Sequence, residues 1–164
     1  MAESSLEVRT GHVDNVLDVD ALARLVYDWR VLERNESGLE FSAYRDALAE
    51  WMREHEESHV AFLGSAGGDA VAMAWLAVVH RVPSPVTFER TCAYVQSVYV
   101  APDHRNHGAG TVLVSALVDH ARAAGLDYIA VHPSERSFPF YRRLGFAGTE
   151  RVLELDFRPG RTST

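Results

Sequence analysis

The chain contains no lysine: all 16 basic residues among its 164 are arginine. That excludes a lysine Schiff base, the lysine of a Walker A phosphate loop and any lysine general base. Cysteine is almost absent too. Cys92 stands alone, so no intrachain disulfide can form, which suits a reducing compartment. No stretch approaches the roughly 18 apolar residues of a membrane span. The longest apolar run, Ala70 to Val79, has the length of a strand. Met1 to Arg9 carries acids and no apolar core segment, so it does not read as a signal peptide. These absences predict a cytoplasmic protein with no membrane partner. Positive charge is outweighed as well. A net charge of −7 argues against a nucleic-acid partner and for a cationic or amine one.

What is present reads as a folded chain. Apolar residues make up 47% and charged residues 24%, a globular balance. One domain over residues 1–164 is the expectation for this length. The pattern begins with a strand at Leu6–Arg9 and a helix over Val19–Glu33, where Leu22, Leu25, Val26 and Trp29 fall at helical spacing. Polar Arg34–Gly38 breaks it. A second helix over Phe41–Arg53 carries Tyr44, Leu48, Trp51 and Met52. Val60–Leu63 and Ala70–Val79 read as a hairpin about the turn GSAGGD. Tyr94–Val100 is a strand stopped by Pro102. A helix then opens at Gly108–Gly110 and runs to Ala124, with Gly125 just beyond it. Tyr128–Val131 is a short strand. Ser137 caps a short helix with Pro139 in its first turn, ending at Leu144. Val152–Phe157 alternates as a last strand. Hairpins early and helical crossovers late predict a mixed α/β sheet.

The densest chemical signal is the strand–loop–helix unit VYVAPDHRNHGAGTVLVSAL. Glycines let backbone approach a ligand. The first turn of a helix leaves N–H groups unpaired, and its dipole adds partial positive charge. Together they suit a pyrophosphate, and Arg105 could add a charge-assisted hydrogen bond. The alternative is a glycine-rich turn that merely packs a helix on a strand. The unit is neither a Walker A loop, which needs lysine, nor a dinucleotide fingerprint, since GAGTVL lacks the third glycine.

R-x-x-G-x-G, here Arg105 to Gly110, after V-x-V-x-P, resembles the acetyl-CoA signature of the GNAT superfamily of N-acetyltransferases. FPFYRRLGF resembles the family's second landmark, with Tyr141 before Leu144, Gly145 and Phe146. The likeness spans about Tyr94 to Phe146. It implies a mostly antiparallel sheet of about six to seven strands with about four helices, the cofactor strand splayed from the next, parallel strand. It implies acetyl-CoA as co-substrate. The backbone of Val98, Tyr99 and Val100 would pair with the pantetheine arm, and one N–H there would polarise the thioester carbonyl. Arg105, Asn106, His107, Gly108, Ala109, Gly110 and Thr111 would hold the pyrophosphate, with Ser134 and Ser137 counted in the same cofactor set. Tyr141 would protonate the departing thiolate; a phenol near pKa 10 and a thiol near 8.5 are a workable match. Its alternative is a core aromatic beside Phe138 and Phe140.

Some positions depart from the family. Ser134 stands where an asparagine is frequent, and Tyr128–Val131 carries no acid. Gln96 occupies a position that elsewhere holds a carboxylate; an amide takes no proton but can hold a water. The general base is therefore unassigned, with His132 and Glu89 as weak candidates beside a surface role. His104 and His107 flank Arg105, where exposed loop histidines are the alternative. Asp28, Glu33, Glu36 and Glu40 surround the break between the first two helices, a region that covers the acceptor site in the family. They could attract an amine or form a solvated helix face.

One motif competes. His55 to His59 spells H-E-x-x-H, the zincin pattern. Zinc needs both histidines on one face of a continuing helix and a third ligand. Here the apolar stripe stops near Met52 and an extended segment begins at Ser58. Residues four apart on a strand sit about 13 Å from each other. No metal is therefore expected. The reading is an acetyltransferase that moves acetyl from acetyl-CoA to a primary amine, small-molecule or peptide, by direct attack in a ternary complex. A homodimer is left open. The alternatives are a CoA-binding sensor without turnover and the zinc hydrolase.

Overall fold

In the computed structural model, which describes residues 6–148, the chain divides into two compact units at His132 and Pro133. The first carries a five-stranded sheet in the order β1-β2-β3-β4-β5. β1 is Glu7–Gly11, β2 His59–Ala66, β3 Asp69–His80, β4 Thr91–Val100 and β5 Tyr128–Val131. β1 to β4 pair antiparallel, and β4 with β5 parallel. The sheet is thus mixed and mostly antiparallel, with five strands described rather than six to seven. The expected strand Val152–Phe157 lies outside the described residues.

A continuous apolar run explains the central strand of the long hairpin. β3 reads DAVAMAWLAVVH, and Val71 to Ala77 are buried without a break, so both faces of this central strand are covered. The turn is tighter than the sequence suggests. Strands continue through Ala66 and from Asp69, and only Gly67 and Gly68, both at positive φ, make the reversal.

Helix α1, Val16–Tyr27, starts three residues earlier than the periodicity predicts. Asn15 supplies the reason, since its side-chain oxygen accepts from the Leu17 N–H at 3.1 Å. Its buried stripe of Val19, Leu22 and Leu25 joins Leu63, Met73, Trp75 and Tyr99 in one core. Asp18 is buried in the first turn and gathers three donors. Arg9 of β1 gives two, at 2.8 and 2.5 Å, and the His12 N–H gives the third at 3.0 Å. These donors hold the Asp18 carboxyl below its ordinary pKa.

The predicted first helix does not run straight to Glu33. Asp28–Glu33 is a π-helical turn, a rare form that is frequent at functional sites. Helix α2 is Phe41–Glu54, and α3 is Ala109–Ala123, burying Leu113, Val114 and Leu117. The second unit contains the short helix α4, Phe138–Arg143.

Candidate functional site

β4 is paired with β5 only over Cys92–Val95, where β5 ends at Val131. From Gln96 to Val100 that edge of β4 has no strand partner among the described residues. Its other edge stays on β3 but carries a bulge. Gln96 faces Trp75 and Tyr99 faces Met73, so β4 spends one residue more than β3 across this stretch. Ser97 takes the unusual backbone, at φ 49°. The stretch expected to lie along the pantetheine arm, Val98 to Val100, is therefore an open edge beside a local distortion.

A short loop joins β4 to α3. Pro102–His104 forms a single 3₁₀ turn, and the Ala101 N–H bonds the Val71 carbonyl at 2.8 Å. Asn106 lies at φ 64° and Gly108 at φ 84°. Gly108 is the N-cap of α3, with no side chain capping the helix. The first bond of the helical ladder runs from the Val112 N–H to the Gly108 carbonyl, at 3.1 Å. The amides of Ala109, Gly110 and Thr111 precede it and point off the helix end, a fan suited to phosphate oxygens. The residues present thus fit a ligand with an extended amide arm and a diphosphate. The open strand edge would take the arm, and the uncapped helix end would take the charge.

Arg105 behaves differently from a free anion ligand. Its Nε donates to the Val100 carbonyl at 2.8 Å, and its Nη2 to Glu33 at 2.7 Å. The guanidinium also lies 5.4 Å from the centre of the Tyr99 ring. A pyrophosphate would have to share it. Tyr99 is buried and stacks on Trp29 at 5.8 Å. Burial, then the nearby Glu33 carboxylate, pushes its phenol pKa up. Asp28 is half-buried, and loss of water raises its carboxyl above the ordinary value although Arg24 opposes this. Glu36 is engaged by Arg30 at 2.7 Å and Arg34 at 3.5 Å. Gln96, Glu89 and His107 are exposed, and His104 is half-buried. His132 places its ring 6.1 Å from that of Tyr94.

In the second unit, the Ser134 and Ser137 hydroxyls lie 2.9 Å apart. Ser137 precedes α4, yet its side chain makes no capping bond into the helix. It donates instead to the Ser134 carbonyl at 3.1 Å. Tyr141 is buried, its ring 5.0 Å from Phe140 and 5.4 Å from Phe146. Burial raises its phenol pKa, so the hydroxyl keeps its proton at neutral pH and can act only as a donor of it.

The H-E-x-x-H segment does not form a helical pair. α2 ends at Glu54, His55 is its C-cap, and His59 opens β2. The expected separation of an extended chain is also wrong. The intervening turn brings the two imidazole rings to 5.6 Å. His55 stacks on Trp51 at 4.4 Å and gives its Nδ1 proton to the Trp51 carbonyl at 2.8 Å. Burial and the neighbouring His55 lower the His59 pKa. Among the described residues no three His, Cys, Asp or Glu side chains come together as metal ligands.

The profile of the Acetyltransferase (GNAT) family matches residues 23–146, three-quarters of the chain. The chain belongs to the GNAT family. A glucosamine 6-phosphate N-acetyltransferase of Trypanosoma brucei brucei is 36% identical over 67 residues, which cover 41% of this chain and 46% of that relative. The chain therefore matches less than half the length of that relative. A Clostridium acetobutylicum protein described as a predicted acetyltransferase, solved with acetyl-CoA, has a TM-score of 0.70 at 17% identity, covering 93% of this chain and 96% of its own. An aminoglycoside acetyltransferase from an uncultured soil metagenomic sample, in complex with sisomicin, has a TM-score of 0.71 at 16% identity over 93% and 95% of the two chains. These structures share the GNAT fold. Acetyl-CoA is the acyl donor of GNAT enzymes. The sequence of this GNAT chain offers Trp29, Glu33 and Tyr99 separately but gives no sign that they meet around Arg105. Glu33 and Arg105 are 72 positions apart, and a pairing at that distance carries no local signal.

Proposed function

We propose that this protein transfers the acetyl group of acetyl-CoA to a primary amine on a sugar-like substrate, by direct attack within a ternary complex. The observation that carries the donor half is the continuity of the open β4 edge with the uncapped start of α3. The acceptor class is supported by two relatives whose names specify amines borne on sugars, and by the acids around the π-helical turn.

The chemistry follows from these groups. The amine lone pair forms the C–N bond at the thioester carbonyl carbon, and the C–S bond breaks. A backbone N–H of Val98–Val100 takes up charge on the carbonyl oxygen. One amine proton passes to solvent, with Gln96 as a holder of water. Tyr141 returns a proton to the thiolate sulfur. A buried, protonated phenol suits that step.

The test is release of free thiol from acetyl-CoA against glucosamine 6-phosphate, sisomicin, spermidine and a short peptide with a free N-terminus. Turnover on the sugar amines, well above that on spermidine and the peptide, is the expected result. CoA binding with no turnover on any amine supports a sensor instead. Absence of CoA binding removes the donor site altogether.

A further inference from the structure

The π-helical turn and the cofactor loop are far apart in sequence and joined by side chains. Trp29 stacks on Tyr99 of β4. Glu33 ends the turn and accepts from Arg105, which also bonds the carbonyl of Val100, the last residue of β4. The pair is partly screened from water, with side chains 32% and 37% exposed. The Arg105 guanidinium lies 5.4 Å from the centre of the Tyr99 ring, which closes a three-membered cluster. Every contact of this cluster touches either the open edge of β4 or the loop that leads into α3.

From this geometry we infer that Glu33 and Arg105 form a clasp that orders the Asp28–Glu33 turn when the cofactor loop is filled. Arg105 is thus a positioning residue, with Glu33 its counterpart. The clasp rests on the donor site proposed above. A diphosphate at the amides of Ala109–Thr111 restricts the loop that carries Arg105. The guanidinium has one end on Val100, so restriction of the loop fixes its other end, and with it Glu33. The turn then stands as a fixed wall beside the end of β4, where the acceptor amine must approach the thioester. The π-helical turn is suited to respond, because none of its six residues is fully buried and its order leans on side-chain anchors.

Hydrogen exchange with CoA as the probe separates the possibilities. The full-length protein and Glu33→Gln are compared with and without CoA, at concentrations saturating by calorimetry. In the unchanged protein CoA should slow exchange in residues 105–112 and also in 28–34, the latter by about 5-fold or more, the lower range of site-to-site coupling. In Glu33→Gln the slowing should persist in 105–112 and fall below about 2-fold in 28–34. Arg105→Gln, if it saturates with CoA, should behave like Glu33→Gln in 28–34. The inference is overturned if CoA leaves 28–34 unchanged while protecting 105–112. It is equally overturned if Glu33→Gln keeps the CoA-dependent slowing, or speeds exchange in 28–34 by the same factor with and without CoA, since that is a purely structural role. No protection of 105–112 in the unchanged protein would refute the donor site first, and the clasp with it.

Discussion

Replacing Gly108 by alanine isolates backbone conformation from bulk. A Cβ at this position meets nothing within 4 Å, so steric conflict with neighbours is not at issue. The cost comes from φ 84° and ψ −7° alone, well off the left-handed minimum near +57°, +47°. An L-residue there carries a strain of about 1–2 kcal/mol. Alanine also narrows the unfolded ensemble, which stabilises by about 0.4–1 kcal/mol. Two outcomes follow. If the loop keeps its shape, stability falls by up to about 1.5 kcal/mol and CoA affinity holds. If the free loop relaxes, stability rises slightly and the strain reappears on binding, as a loss of about 5- to 30-fold in CoA affinity. Urea unfolding and titration calorimetry on the same preparation measure both quantities. The two changes, corrected for the unfolded-state gain, should sum to about 1–2 kcal/mol. An alanine variant that is more stable than the parent and binds CoA equally well would refute the reasoning, because φ at this N-cap would then cost nothing.

CoA or acetyl-CoA at about 100 times its dissociation constant should stabilise the protein by roughly 2.7 kcal/mol; an unmoved melting curve at millimolar ligand contradicts the donor site. Tyr141→Phe should lower kcat by about 10²-fold, the low end for general acid catalysis, since a thiolate can leave with help from water. The KM for acetyl-CoA should change little, and full kcat in a folded variant would make Tyr141 a packing residue. Asp18→Asn should cost about 3 kcal/mol at pH 7, the low end for breaking a buried pair, because Arg9 is 54% exposed and can rehydrate. The folded-state pKa of Asp18 is depressed, so its contribution is present above the unfolded value near 3.9 and is lost as pH falls through the lower folded value. The gap between the two proteins, read by urea unfolding, should therefore close below about pH 4.

Elements with strong period were legible in the sequence, and so was the family. β5 matches its predicted span, and α2, α3 and α4 fall within about one residue of theirs. Gly108 and its loop were legible because glycine and proline mark backbone directly. The π-helical turn was not. Leu22, Leu25, Val26 and Trp29 keep helical spacing, and a change from four- to five-residue bonding is invisible to apolar periodicity over one turn. The turn that closes HEESH failed for a related reason: a strand estimate was applied to residues that fold back before the strand begins. Arg105 was read as an anion ligand because its motif is local. Its ion pair with Glu33 spans the fold and has no local signal.

The bulge at Ser97 has a consequence best expressed as phase. A pleated strand assigns side chains to its two faces in strict alternation, and an added residue advances the count by one. Cys92, Tyr94 and Gln96 lie opposite Val79, Ala77 and Trp75, on the face that α1 covers. An unbroken strand would give the next place on that face to Val98. Instead Tyr99 takes it, opposite Met73. Flattening the bulge with every residue kept would leave every strand and helix in order yet give Val98 the place of Tyr99, removing the phenol from Trp29, Glu33 and Arg105 together, whereas deleting residue 97 would leave Tyr99 opposite Met73 on a regular strand. The side-chain cluster at the end of β4 therefore depends on a count of residues as much as on their identities. A scan of substitutions along β4 should show its two-residue rhythm of sensitive and tolerant positions invert at Ser97.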